Sequence, residues 1–237
     1  MYHKVGAYQP GAAIKAHYVP PALFRSHLSF LAAAGYRAVG VSDITRYLAG
    51  ERLAVERPIA ITFDDGYDCV YTQAFPALQE FGFRAIVFVL AGHIGGVNDW
   101  EAQRAMVAEP MLTSEHMAEM ACAGVEFGSH GIQHRRMTRL EPAQLRDDLL
   151  TSKRILEDLT GRPVTAVAYP HGDHNDRVRT LAAETGYAAG CTVERGVNRP
   201  GADPFALKRI NIRRYNYLPL FRLKLRRAYG TPGPPMG

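Results

Sequence analysis

Short apolar runs of strand length alternate with helical patterns along most of this chain, and that alternation restricts the fold more than any other feature. The candidate strands are Arg37–Val41, Ile59–Phe63, Ala85–Leu90, Val125–Gly128, Ala166–Tyr169 and Ala188–Val193. Between them lie helical stretches at Pro21–Ala34, Thr72–Phe81, Ser114–Ala123, Pro142–Leu159 and Asn175–Thr185. Pro142 occupies a first-turn position, and Gly82, Gly124, Gly161 and Gly186 follow helices where a left-handed residue closes the last turn. In Pro142–Leu159, Leu145, Leu149, Ile155, Leu156 and Leu159 line one face. Strand followed by helix, repeated, implies parallel strands joined by right-handed crossovers. The expected fold is α/β, a distorted, incomplete (β/α) barrel with mostly parallel strands, its chemistry at the C-terminal ends of the strands.

A chain of 237 residues suits one such domain. No internal repeat or linker divides it, so residues 1–230 read as one catalytic domain and the Pro/Gly-rich residues 231–237 as a disordered tail. Net charge is +5, and the basic residues are scattered until the C-terminal segment, without a nucleic-acid motif; no nucleic-acid partner is expected. From Arg213 to Arg227 the chain mixes Leu and Phe with basic residues. That segment reads either as a terminal helix with one apolar face on the barrel or as a contact for a membrane surface or polyanion. Cys69, Cys122 and Cys191 are far apart and odd in number, which predicts buried free thiols rather than a disulfide framework. With no visible secretory signal or membrane-spanning run, a cytoplasmic location is the expectation.

Three polar clusters fall at predicted strand ends. The first is Thr62-Phe63-Asp64-Asp65-Gly66-Tyr67. Adjacent carboxylates repel one another, and a divalent cation would compensate them, although a solvated Asp-Asp-Gly turn has the same composition. The second contains His130 and His134, four residues apart and able to share a cation if the segment turns helically. Imidazoles joined by one carboxylate suit zinc, cobalt or related ions better than magnesium or calcium. The third is Ala168-Tyr169-Pro170-His171-Gly172, where a bend could aim backbone N–H groups at an oxyanion, or simply end a strand. Three clusters at three strand ends converge where a barrel places its active site. Metal-assisted hydrolysis is the reaction class they favour.

On these residues the chain resembles the polysaccharide deacetylase family (carbohydrate esterase family four). Thr62–Gly66 is similar to its first motif, and His130 to His134 to its paired-histidine motif. The resemblance implies Asp65, His130 and His134 as ligands of one divalent metal ion, zinc first, with cobalt or nickel as alternatives. It implies Asp64 as general base and the Tyr67 N–H as oxyanion donor. Its third motif departs: Ala168 stands where an arginine usually orients the base, as in the exopolysaccharide deacetylase variant, whose initial strand resembles Tyr2–Val5. Leu207-Lys208-Arg209 replaces the usual final leucine–histidine motif. His171 is the first candidate for the general acid and His3 the second. Tyr169, Pro170 and the sole tryptophan, Trp100, are candidate substrate or oxyanion contacts, with Trp100 equally suited to anchoring its loop. His93 and His116 read as ordinary surface or helix residues.

The expected activity is removal of N-acetyl groups from a carbohydrate: a polysaccharide, oligosaccharide or glycolipid intermediate. Two alternatives keep the same site. One is a small-amide deacylase or deformylase, the other a catalytically silent glycan-binding relative.

Overall fold

The computed structural model of the chain describes residues 1–101 and 107–229. Its elements run β1 (Lys4–Val5), β2 (Tyr18–Val19), α1 (Pro21–Ala33), β3 (Arg37–Ala38), α2 (Val41–Leu48), β4 (Pro58–Ile59), β5 (Thr62–Phe63) and α3 (Phe75–Glu80). They continue with β6 (Ile86–Val89), α4 (Ser114–Cys122), β7 (Glu126–Ser129), α5 (Pro142–Thr160) and β8 (Ala166–Ala168). The last are α6 (Asp176–Glu184), β9 (Ala189–Arg195), β10 (Leu207–Arg209) and α7 (Leu218–Tyr229). The expected tail, residues 231–237, lies outside the described residues.

The main sheet has six parallel strands in the order β10-β9-β8-β7-β6-β5. It curls until its two edges nearly meet, and the first two residues occupy the gap. On one side Tyr2 N donates to Thr62 O (2.8 Å) and Asp64 N to Tyr2 O (3.1 Å). On the other, the Met1 nitrogen reaches Ile210 O at 2.9 Å, and Ile212 N donates to Met1 O at 2.9 Å. Contact so brief leaves the (β/α) barrel distorted and incomplete.

Alternation along the strands sorts side chains into two layers. Ile86 and Phe88 of β6 point inward with Ala166, Ala168, Ala189, Cys191 and Leu207, whereas Val87, Val89, Phe127 and Val167 point outward beneath the helices. α2 inserts Val41 and Leu48 into the interior cluster and closes the barrel where its strands begin. There Glu126 Oε2 accepts the Val41 N–H at 3.0 Å.

Several sequence expectations change here. Val41 starts a helix instead of ending a strand, because Asp43 caps Gly40 N (3.2 Å) while Glu126 caps Val41 N. The apolar run Ile59–Phe63 is two strands: Ile59 pairs with Ala38, and Thr62–Phe63 pairs with β6. The helix expected at Thr72–Phe81 opens with a wide turn, Val70–Ala74, and becomes α-helical only at Phe75. Pro76 lacks an N–H, which disfavours regular bonding there. Cys191 is buried and Cys69 half-buried, but Cys122 is exposed, because α4 buries Met117, Met120 and Ala121 instead. β10 was not foreseen, being only three residues with an exposed lysine at its centre.

Candidate active site

Asp64 and Asp65 follow β5 directly, and the chain bends sharply there. Asp65 has φ 76° and Gly66 φ 85°. A Cβ on Gly66 would lie 3.1 Å from a methyl of Val89, so glycine alone suits the bend. The turn sends the two carboxylates into one buried site, Asp64 3 % and Asp65 5 % exposed. His130 leaves β7 at the equivalent level. The Asp65 Oδ1 lies 3.3 Å from His130 Nε2 and 3.6 Å from His134 Nε2. One ligand atom from each of the three residues falls within 4.8 Å of the others. The paired histidines do not share a helix: the segment between them is a loop, and His134 meets Asp65 with φ 52°.

Backbone strain marks the same place. Among the described residues, the only non-glycine residues in the left-handed region are Asp65, His134 and His171. Each such conformation costs about 1–3 kcal/mol and persists only where surrounding structure enforces it. Three together at converging loop ends indicate a functional site without reference to any relative.

The donor set fits a divalent cation. His130 Nδ1 donates to Ala168 O at 2.7 Å, which fixes the tautomer and leaves Nε2 as a lone-pair donor. Burial lowers His134 to about 3, so it is a neutral imidazole, as a ligand must be. Burial pushes Asp65 upward, but the His130 bond and neighbouring histidines outweigh it and hold the carboxyl far below its usual range. For His130, burial is likewise outweighed by the two aspartates, and its pKa is raised. The cluster thus favours positive charge between its members.

Asp64 faces a different partner. Arg209, from β10, donates Nη1 to Asp64 Oδ1 at 2.6 Å and Nη2 to Oδ2 at 2.8 Å, while its Nε donates to Thr192 O at 2.9 Å. Burial alone would raise the Asp64 pKa; Arg209, His130 and His3 reverse this and lower it. The arginine absent from its usual position at Ala168 is therefore supplied by a different strand. The sequence placed Arg209 only as part of a departure from the family's final motif and not as the partner of Asp64, which it reaches only after the sheet curls.

His3 is half-buried beside this pair, stacked on His17 at 3.9 Å between ring centroids, and its buried Nδ1 has no hydrogen-bond partner among the described residues. Burial lowers its pKa, with Asp65 and Asp64 opposing. His171 sits across the site, its ring 4.4 Å from that of His134. Trp100 lies 5.3 Å from the His134 ring and 6.1 Å from that of Tyr67. His93 is buried, contrary to expectation, and holds the Trp100 loop: its Nε2 bonds Asp99 Oδ1 at 2.6 Å and its ring meets Trp100 at 4.8 Å. His116 lies on α4 as expected, stacked on Tyr71. The Tyr67 ring is packed against the Lys4 ammonium, 4.0 Å away, and Lys4 is in turn paired with Glu109.

Two expected contacts are not made. Tyr169 points out of the barrel into the helical layer, where its hydroxyl donates to Phe205 O (2.9 Å), because inward-facing Ala168 precedes it. Pro170 is buried in a turn whose Gly172 and Asp173 amides are consumed by Tyr169 O and Pro170 O, so these N–H groups do not face an oxyanion.

Sequence reading also missed the supports of the histidine loop. From α5, Asp148 accepts Ile132 N at 3.3 Å, and Ser152 bonds Ser129, whose hydroxyl accepts Gly131 N at 3.0 Å. A buried aspartate on an apolar helix face was the available signal.

An incomplete parallel barrel carrying a buried Asp-His-His cluster and a second, arginine-bound aspartate defines a metal-site hydrolase. Residues 53–190 match the family model described as polysaccharide deacetylase, and the chain belongs to that family and is a carbohydrate N-deacetylase. It is 29 % identical over 212 residues to YxkH of Bacillus subtilis (strain 168), which is named for the same family; the match covers 90 % of this chain and 70 % of YxkH. It is 24 % identical over 206 residues to the poly-beta-1,6-N-acetyl-D-glucosamine N-deacetylase of Staphylococcus epidermidis, covering 83 % of this chain and 68 % of that protein. Among solved structures, the Streptococcus pyogenes deacetylase PplD in complex with acetate superposes with a TM-score of 0.82 at 25 % identity, covering 94 % of this chain and 95 % of PplD. IcaB from Ammonifex degensii shares the fold, with a TM-score of 0.79 at 24 % identity and 94 % of both chains covered.

Proposed function

We propose that this enzyme hydrolyses the N-acetyl amide of N-acetylglucosamine units in a β-linked oligosaccharide or polysaccharide, releasing acetate and leaving a free amine on the sugar. The substrate rests on the named activity of the staphylococcal relatives. The mechanism rests on one observation: a buried carboxylate locked by Arg209 stands directly beside the Asp65–His130–His134 cluster.

Asp65, His130 and His134 would hold one divalent ion, zinc by the chemistry of two imidazoles and a carboxylate, with cobalt or nickel able to replace it. Such an ion lowers the pKa of water toward about 7 and polarises a carbonyl oxygen. Asp64 accepts the proton of the attacking water, and Arg209 keeps that carboxylate ionised and oriented. The water oxygen bonds to the acetyl carbon, and the Tyr67 N–H donates to the developing oxyanion. The C–N bond then breaks as a histidine protonates the leaving nitrogen. His3 is the better placed of the two candidates: it follows Tyr2, whose carbonyl accepts the Asp64 N–H, and its ring has an unpartnered nitrogen in the site. His171 packs instead on the ring of His134.

Two measurements test this reading. Purified protein should contain about one divalent ion per chain, in line with a mononuclear site, and a His130→Ala/His134→Ala variant should lose it. Asp64→Asn should retain the ion but release no acetate from N-acetylglucosamine oligomers. Undiminished acetate release by that variant would remove Asp64 from the mechanism.

A further inference from the structure

The C-terminal segment concentrates two features found together nowhere else among the described residues. From Pro204 to Gly237 there are eight lysines and arginines and not one aspartate or glutamate, so the rest of the chain, despite the overall +5, sums to −3. The same segment carries Tyr215 (53 % exposed), Tyr217 (64 %), Leu220 (41 %) and Leu223 (40 %), four of the six large apolar or aromatic side chains most exposed among the described residues. On α7, Phe221 and Leu225 are buried, and Phe221 stacks on His27 of α1 at 4.0 Å; Leu220 and Leu223 point the other way. Arg213, Arg222, Arg226 and Arg227 surround them, exposed, and among the described residues none of these four has a carboxylate partner. A terminal helix needs only its packed face to be apolar. This one has a second apolar strip, framed by cations.

We propose that this face, from Arg213 to Arg227, seats the enzyme on an anionic lipid bilayer, with Tyr215, Tyr217, Leu220 and Leu223 entering the headgroup boundary and the arginines bound to lipid phosphates. The composition matches an in-plane interfacial helix: leucine and tyrosine on one side, arginine at the flanks, and no acid to be repelled. A second copy of the chain is the poorer occupant, since self-complementary packing would bring these arginines against their own copies with no carboxylate on the face to answer them. A soluble polyanion would satisfy the arginines but leave the two leucines and two tyrosines without a role. The surface begins beside the active site, where Arg214 N donates to Ala16 O (3.0 Å), adjacent to His17 and hence to His3. Seated this way, the enzyme works on glycan at a membrane surface.

The test is co-sedimentation of the 237-residue protein with vesicles of phosphatidylcholine alone and with added phosphatidylglycerol. Binding is expected to the mixed vesicles only and to weaken with salt. Arg222→Gln/Arg226→Gln/Arg227→Gln should weaken it by about fivefold per arginine removed. Leu220→Ser/Leu223→Ser should weaken it at least tenfold, on the order expected from burying two leucines in part. Thermal unfolding checks that both variants fold, as these side chains are exposed. Absence of binding to anionic vesicles overturns the proposal. So does binding lost in the arginine variant but unchanged in the leucine variant, which would reduce the surface to a polyanion site. A dimer in sedimentation velocity that the leucine substitutions dissociate would assign the face to a second copy, and overturns it equally.

Discussion

Arg209 and Asp64, 145 residues apart in sequence, form a two-pronged ion pair at 2.6 and 2.8 Å inside the barrel. The planar guanidinium matches both carboxylate oxygens, and its third nitrogen is tied to Thr192 O, so Asp64 cannot rotate. One contact thus joins the proposed base, at the edge strand β5, to the opposite edge strand β10. It serves the site and the closure of the sheet together.

Replacing Arg209 by alanine leaves a buried carboxylate without its counter-ion, which costs about 3–5 kcal/mol of stability. Urea unfolding should show that loss, and acetate release should fall at least a hundredfold. Arg209→Lys should recover stability in part but little turnover, because an ammonium cannot hold both oxygens. Equal recovery of both would show that charge alone matters.

Asp148 touches no proposed ligand yet holds Ile132 between two of them. Asp148→Ala should weaken divalent-ion affinity by about 10–100-fold, the usual effect of removing an outer support. Chelator competition measures this directly. Unchanged affinity would make the α5 contact merely structural.

Trp100 is the chain's only tryptophan, so tryptophan emission reads its loop alone. Asp99→Ala removes the bond that holds His93 and should shift the emission to the red. If Trp100 stacks on the sugar, Trp100→Ala raises KM by up to about tenfold with a smaller change in kcat. A loss confined to kcat would exclude that platform role.

His27 ties the N-terminal residues to α7. Its Nε2 donates to Asn216 O at 2.7 Å, and its Nδ1 is placed to accept from Tyr2 Oη at 3.2 Å, which requires a neutral ring. Burial lowers its pKa from 6.5 to about 4. Between those values the unfolded chain binds a proton that the folded one refuses, so stability falls as pH drops from 6.5 toward 4. The loss from this residue is at most about 3 kcal/mol. Urea midpoints across that range should be less pH-dependent in His27→Gln. A slope identical to that of the parent would assign the acid sensitivity elsewhere.

Much of this was legible before any coordinates. Strand–helix alternation implied a parallel, barrel-like sheet, and polar residues directly after apolar runs located the catalytic face, since both follow from local periodicity and strand-end geometry. Asp64, Asp65, His130 and His134 stood out because ligand types at strand ends have few structural uses, and the family resemblance assigned Asp65 to the metal and Asp64 to the base. What local pattern could not convey was direction and partnership. Tyr169 turned outward because it follows inward-facing Ala168, a matter of strand phase rather than residue type. The run Ile59–Phe63 divided between two sheets because its neighbours on each side differ.

The sequence by itself determined the composition of the site: two adjacent carboxylates and a histidine pair at strand ends, which the family resemblance divided into ligands and base. Tertiary structure alone decided what holds that carboxylate. Arg209 lies on a three-residue strand that departs from the family's final motif, and it reaches Asp64 only when the curled sheet brings its two edges together. Such a contact depends on closure over 145 residues, and a long-range contact of that kind leaves no periodic trace in the chain.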